Sequence, residues 1–323
     1  MHREFELWHF IAERLECGES TVLLVVAEST GSSPGRQGYK MAVASNGELI
    51  GSIGGGVMEV SLVQAAMSAL ADASIGYASD VSEQVHRKDV PNASGMICSG
   101  KQTVIFKLLT PKNLEAIQCV IDSLTDHRRD TLRISNDVFF VTPSTEDKDF
   151  TFSKLFETHF LYEERLGHKS ELYIIGGGHC ALALSELMSK MDFHISIFDD
   201  RPDLNTIEKN TFADRKEIID NYGSISERMP TASDAYVVVM TLGYASDEIV
   251  VRQLINKDFK YFGVLGSKAK MATLMKTLRN DGIPSEKLDR IHAPIGLPIN
   301  SRTPEEIAVS IAAEIIAVKN GQA

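Results

Sequence analysis

Two glycine-rich runs, each opening onto an apolar helical pattern, are the stretches of this 323-residue chain best suited to chemistry. The first is Gly51-Ser-Ile-Gly54-Gly55-Gly56-Val-Met-Glu59, and the second is Gly176-Gly-Gly178-His179-Cys-Ala181. Glycine lets backbone N–H groups approach an anion closely, and the start of a helix favours negative charge. Such a loop suits a phosphate. Two unlike loops in one chain point to two units that handle a phosphorylated ligand, of nucleotide size or larger.

The second run fits the pattern G-x-G-x-x-A and follows the strand-like run Glu171 to Ile175. That context is the dinucleotide fingerprint of a Rossmann-like unit. Asp199 lies 23 residues after Gly176, at the end of the next apolar run, where an acidic side chain would accept from a ribose. The charges of Asp199 and Asp200 disfavour an additional 2′-phosphate, and Arg201 partly offsets them. His179 either donates to a phosphate or packs. Gly266 and Ser267 end a later strand at what would be the same sheet edge.

The first run is compatible with a plain tight turn as well as with a binding loop. Glu59 falls in the first turn of its helix, where it either caps free N–H groups or accepts from a ligand's amino or amide groups. A second loop, Ser29 to Gly38, contributes Gly31, Ser32 and Ser33. Cys98 sits in a glycine-flanked loop, where a lone thiol is either a small buried hydrophobe or a ligand contact. Cys180 opens a helix, which lowers a thiol pKa, but a small residue packed under the turn is the simpler reading. No Ser/His/Asp arrangement stands out, so no catalytic residue is assigned. The four cysteines show no metal-ligand spacing, and no metal site is expected.

The elements that must position these residues differ between the halves. Before residue 110 the pattern gives a helix over Phe5 to Leu15, a buried strand over Thr21 to Ala27 and a hairpin about Asn46-Gly47. The first glycine loop with its helix to Ala71 follows, then an irregular stretch over 86–101 and a strand over Thr103 to Leu109. Residues 111–169 read as a connector with small elements, including strands at 131–135 and 138–142. From 170 onward strands at 172–175, 195–198, 217–219, 236–240 and 261–265 alternate with helices at 179–190, 246–255, 268–280 and 304–318. That alternation predicts an open parallel sheet with helices on both faces. The fold class is α/β, with units at 1–110 and 170–323 around the connector.

Composition bounds the function. The sequence is 43% hydrophobic and 24% charged, as in an ordinary globular protein. A net charge of -11 argues against nucleic acid or an anionic membrane as main partner. No apolar run reaches the ~20 residues of a membrane span. The N-terminus lacks signal-peptide features, so a cytoplasmic location is expected.

Taken together, Gly31-Ser-Ser-Pro34, Gly38-Tyr-Lys-Met41, the first glycine run with Glu59, and Met96-Ile-Cys98 resemble the N-terminal domain of a known family. It is that of the xanthine dehydrogenase and CO dehydrogenase accessory (maturation) factors, the XdhC/CoxI family. The second half is similar too, through Gly176 to His179, Asp199-Asp-Arg-Pro202, Gly263 to Lys268, and Ala293 to Leu297 with Thr303 to Ala308. The resemblance implies binding of the molybdenum cofactor (molybdopterin) and its protection during sulfuration with a cysteine desulfurase. It then implies delivery to a xanthine dehydrogenase-like molybdenum hydroxylase. A homodimer is expected, although the sequence does not fix the oligomer. Two departures stand out. Cys98-Ser99-Gly100 replaces a Cys-Gly-Gly run, and Thr241-Leu-Gly-Tyr244 replaces a Thr-His-x-His run.

The expected cofactor site is a cleft walled by Gly54, Gly55, Gly56 and Glu59 on one side and by Gly176, Gly178 and His179 on the other. Cys98 is the thiol candidate there. A dinucleotide at the Rossmann-like unit stays open as a second ligand. The alternatives are an NAD-dependent oxidoreductase, which has the fingerprint but no assignable acid or base, and a nucleotide-sensing module without catalysis.

Overall fold

The computed structural model describes residues 2–71, 79–86, 100–126, 128–144, 148–154, 159–167, 170–191, 193–229 and 234–321. The chain divides into two units, Met1–Gly167 and His168–Ala323.

In the first unit a five-stranded antiparallel sheet has the order β3-β2-β1-β5-β4. Its strands are β1 (Thr21–Gly31), β2 (Lys40–Ala44), β3 (Leu49–Gly51), β4 (Ser79–His86) and β5 (Gly100–Leu109). Every residue from Thr21 to Ala27 is buried, because β1 is central and both faces are covered. Val22, Leu24 and Val26 face helix α2 (Gly56–Ala71). Leu23, Val25 and Ala27 join a larger core with Leu7, Trp8, Ile11 and Leu15 of helix α1 (His2–Glu16). Gly18, with φ 80°, ends α1 in the left-handed conformation that glycine supplies without strain.

Helix α3 (Leu114–Thr125) adds Ile117, Val120, Ile121 and Leu124 to that larger core. So does a second sheet, ordered β7-β6-β9-β8, made of β6 (Asp130–Ser135), β7 (Phe139–Pro143), β8 (Phe150–Lys154) and β9 (Phe160–Arg165). Most of the stretch expected as a connector therefore shares the first unit's core. Strands β8 and β9 were not expected from the sequence. The Glu163-Glu164-Arg165 end of β9 looks solvent-facing in sequence, yet Glu164 and Arg165 are buried. The reason is an internal ion cluster. Lys40 Nζ donates to Glu164 Oε1 (2.8 Å), to Glu4 Oε1 (2.7 Å) and to the Gly38 carbonyl (3.2 Å). The Tyr162 hydroxyl donates to Glu164 Oε2 at 2.9 Å. Burial alone would lower the Lys40 pKa, but the Glu164 and Glu4 carboxylates hold it well above the usual lysine range. The cluster ties α1, β2 and β9 together.

The second unit is a five-stranded parallel sheet ordered β12-β11-β10-β13-β14. Its strands are β10 (Ser170–Ile175), β11 (Phe193–Asp199), β12 (Arg215–Ile218), β13 (Tyr236–Val239) and β14 (Tyr261–Val264). All four pairings are parallel. This is the doubly wound order, with its topological switch point between β10 and β13. The main helices are α4 (His179–Met188), α7 (Tyr244–Leu254), α8 (Lys268–Asn280) and α10 (Pro304–Lys319), with single turns α5 (Asn205–Glu208), α6 (Ile225–Arg228) and α9 (Ser285–Leu288). Helices α4 and α10 cover one face, while α7 and α8 cover the other. Helix α10 starts with Pro304 after a reciprocal cap. Glu306 N–H donates to Thr303 Oγ1, and Thr303 N–H donates to Glu306 Oε2, both at 3.2 Å. Among the described residues no helix is long and apolar enough to cross a membrane.

At the amino ends of β10 and β11, Glu171 and His194 are register partners, and His194 Nδ1 lies 2.9 Å from Glu171 Oε2. The hydrogen bond to Glu171 raises the His194 pKa, with Asp214 adding and Arg215 opposing. The pair's contribution is full below the ordinary histidine pKa of about 6.5 and is lost as pH rises through the raised folded value. Both side chains are partly exposed, so the effect is about 1 kcal/mol or less. His194→Gln should therefore be less stable than the parent to urea at pH 6 and indistinguishable from it at pH 9.

Candidate functional site

In the first unit the chain crowds three backbone segments together. A Cβ built on Gly35 would lie 2.2 Å from the Ile53 carbonyl oxygen, one on Gly54 2.4 Å from the Gly35 nitrogen, and one on Gly100 2.5 Å from the Ser33 nitrogen. The loop carrying Gly31, Ser32 and Ser33, the glycine loop and the start of β5 thus touch where only glycine fits. Ser33 Oγ, buried, donates to Gln102 Oε1 at 2.8 Å and pins the first of these loops to the sheet. Gly54, Gly55 and Gly56 have φ of 123°, 76° and 77°, three successive positive values that side chains rarely adopt.

That twist turns the loop's N–H groups inward onto Glu59. One oxygen, Oε2, accepts from the Ile53 N–H (2.9 Å), the Gly55 N–H (3.0 Å) and the Ser52 hydroxyl (2.8 Å). Gly54 N–H donates to Ser52 Oγ at 3.1 Å. The N–H groups of residues 53 to 55 are thus occupied inside the loop. Of the two roles open to Glu59, capping is made. The other oxygen, Oε1, has no partner among the described residues. The loop thus fixes the half-buried Glu59 carboxylate by one oxygen only. Cys98, expected beside it, lies outside the described residues.

In the second unit the loops after β10 and β13 meet at the switch point. A Cβ on Gly176, whose φ is 108°, would lie 2.3 Å from the Met240 carbonyl oxygen. Helices α4 and α7 begin there on Gly178 and Gly243, and among the described residues no side chain caps either. A Cβ on Gly178 or Gly243 would meet nothing within 4 Å. The first N–H groups of both helices are thus open to an anion. His179 is exposed at the start of α4. Ser267 caps α8, accepting from the Lys270 N–H at 3.3 Å, and Gly266 packs against Met271 and Lys270. Asp247, missed as a site residue by sequence reasoning, lies in the first turn of α7 and is fully buried. It accepts from Thr241 and pairs with Lys270 Nζ at 2.6 Å, which stiffens the second loop.

Asp199 and its neighbours depart from the expected arrangement. The Asp199 carboxylate is fully buried. Its Oδ1 accepts from the Arg201 N–H (2.9 Å) and Nε (2.8 Å), and its Oδ2 from the Gly177 N–H (2.6 Å) and Arg201 Nη2 (2.7 Å). Burial alone would raise its pKa, but Arg201 and the two N–H groups hold it below the usual carboxylate range. Asp200 is exposed beside this pair. Cys180 is no activated thiol, because burial and the nearby Glu305 raise its pKa. Among the described residues no group of three His, Cys, Asp or Glu side chains could hold a metal ion.

Both units also match known families over part of their length. Residues 172–315 match the XdhC Rossmann domain, and residues 15–76 match the XdhC and CoxI family. The chain belongs to the XdhC/CoxI family. Each of the two matches contains one of the two glycine loops. YqeB, an uncharacterized protein of Escherichia coli K12, is 24% identical over 301 residues, covering 91% of this chain but only 43% of YqeB. The chain thus spans less than half the length of that relative. A probable xanthine dehydrogenase subunit from Bacillus subtilis 168 is 28% identical over 324 residues, covering 94% of both chains. A crystal structure of a xanthine dehydrogenase from Bacillus halodurans has the same fold, with a TM-score of 0.71 at 21% identity, over 99% of this chain and 96% of that one.

The glycines of the XdhC Rossmann domain allow a contrast. Gly176→Ala forces a side chain against backbone at positive φ and should cost more than about 1 kcal/mol of stability. Gly178→Ala, at φ -72° with open space around it, should fold as well as the parent. Urea titrations of the two variants beside the parent check both outcomes.

Proposed function

We propose that this chain is an accessory protein of a xanthine dehydrogenase-type molybdenum hydroxylase, which binds the molybdenum cofactor, shelters it during sulfuration and hands it to that client. Family membership of both halves and the B. subtilis relative support the association with xanthine dehydrogenase. The observation that carries the cofactor reading is Glu59, held by three donors on one oxygen and without a partner on the other among the described residues.

The cofactor, a pterin with a phosphate tail, fits the residues present. Its amino edge is an N–H donor suited to Glu59 Oε1. The second unit, taken by itself, offers a phosphate the uncapped N–H groups at Gly178, His179 and the start of α7. When bound, the cofactor supplies the molybdenum chemistry that the client uses. The residues of this chain bind and orient it, and no turnover is assigned to them. A cysteine desulfurase, the client hydroxylase and a second copy of the chain complete the proposed partners, in the cytoplasm. An NAD-dependent oxidoreductase is the rival, and the occupied Asp199 carboxylate speaks against it.

Thermal unfolding under anaerobic conditions separates the two. A ligand at about 100 times its Kd adds about 2.7 kcal/mol of stability. Molybdopterin should raise the Tm, and by more than NAD, NADP, FAD or AMP does. Stabilisation by NAD or NADP without stabilisation by molybdopterin would favour the oxidoreductase.

A further inference from the structure

We infer that the second unit does not read a ribose, and that Asp199 serves instead as an internal clasp on the glycine loop. The inference stands apart from the molybdenum reading, because it concerns what the unit rejects.

A carboxylate has two oxygens and about four acceptor positions. In Asp199 all four are filled, three of them by the backbone and side chain of Arg201 two residues on. The fourth is the N–H of Gly177, the middle glycine of the fingerprint. To accept from ribose hydroxyls, Asp199, itself fully buried, would have to give up bonds from its arginine partner or from the two backbone donors that hold it. Charge-assisted bonds of that kind are among the strongest in a protein. The exchange would replace them with neutral hydroxyl donors and strand the Arg201 pairing.

Sterics point the same way from a different set of residues. The segment after β11 folds back over the loop. Thr206 Oγ1 donates to the Gly177 carbonyl, and both groups are buried. A Cβ built on Gly177 would lie 2.4 Å from Ile207 Cδ1 and 3.4 Å from Leu204 Cδ2. Turn α5 is thus seated on the middle of the glycine loop, and Ile207 belongs to the core beneath it. The backbone of Gly177 is held on its N–H by Asp199 and on its carbonyl by Thr206. What the fingerprint offers a ribose in other sequences is here used to brace the loop.

Calorimetric titration of the full chain with ADP and with 2′,3′-dideoxy-ADP tests this. The two nucleotides carry the same phosphates and differ only in the ribose hydroxyls. A carboxylate that accepts from those hydroxyls separates such a pair by about tenfold or more. Here the two are expected to bind within threefold of one another, or neither to bind. Asp199→Asn should lower the Tm without creating or removing a preference. A threefold or larger preference for ADP overturns the inference, and its loss in Asp199→Asn would make Asp199 the ribose acceptor. If Asp199→Asn does not fold, the parent's ratio alone decides. A chain that binds molybdopterin and prefers ADP loses this inference but keeps the proposed function. A chain that binds molybdopterin and no nucleotide keeps both, and one that binds neither molybdopterin nor a nucleotide loses only the proposed function.

Discussion

Lys40→Met should destabilise the first unit by about 3–5 kcal/mol, because it strands a buried carboxylate. Lys40 and Glu164 have side chains 5% and 1% exposed, so water cannot replace the lost partner. Glu4, at 23%, can turn toward solvent, but Glu164 cannot. The Tyr162 hydroxyl would still donate to Glu164, but a neutral donor does not balance its charge. Trp8, the single tryptophan of the sequence, is fully buried in the same core, so its fluorescence reports this unit's unfolding in urea. Adding Glu164→Gln to Lys40→Met removes the stranded charge, keeps an acceptor for Tyr162, and should recover part of the loss. An unchanged urea midpoint for Lys40→Met would show that the cluster does not hold α1, β2 and β9 together.

That cluster also marks where the sequence stops being legible. In the second unit strand-like runs alternate with helical patterns, and the alternation places the five strands within about two residues, including the polar edge strand β12. The parallel order follows from crossovers that must be long enough to hold a helix. In the first unit the signals conflict. Strand β9 carries buried charge that makes sense only once Lys40, 124 positions away in sequence, is beside it. Strand β1 runs to Gly31, into the expected loop, because Glu28 to Gly31 pair with Gly100 to Thr103 across a bulge.

The glycine loops were legible as loops, and their chemistry was only half legible. Sequence spacing puts Asp199 at the end of the second strand. It does not show that Arg201 folds back onto it and fills three of its four acceptor positions. For Glu59 the spacing left two roles open. The structure makes the capping bonds on one oxygen and leaves the other without a partner among the described residues, a division that no one-dimensional pattern encodes.

Glu59→Gln is therefore expected to keep the fold and lose the cofactor. The glutamine carbonyl can still accept from Ile53 and Gly55, while its NH2 group would face the ligand's amino edge, donor against donor. Losing a hydrogen bond to a charged acceptor costs about 1.5–3 kcal/mol, so retention should fall by about tenfold or more. Glu59→Ala also frees the Ile53 and Gly55 N–H groups and should be less stable as well.

The most direct measurement counts molybdopterin bound per chain, for the parent and for Glu59→Gln, after anaerobic loading and removal of free cofactor. The same samples are then tested for activation of a cofactor-free xanthine dehydrogenase-type hydroxylase. The parent should hold close to one cofactor per chain and activate the client, and folded Glu59→Gln should do neither. A parent chain that retains no molybdopterin and activates nothing, or a Glu59→Gln chain that retains and delivers as much as the parent, would contradict the account.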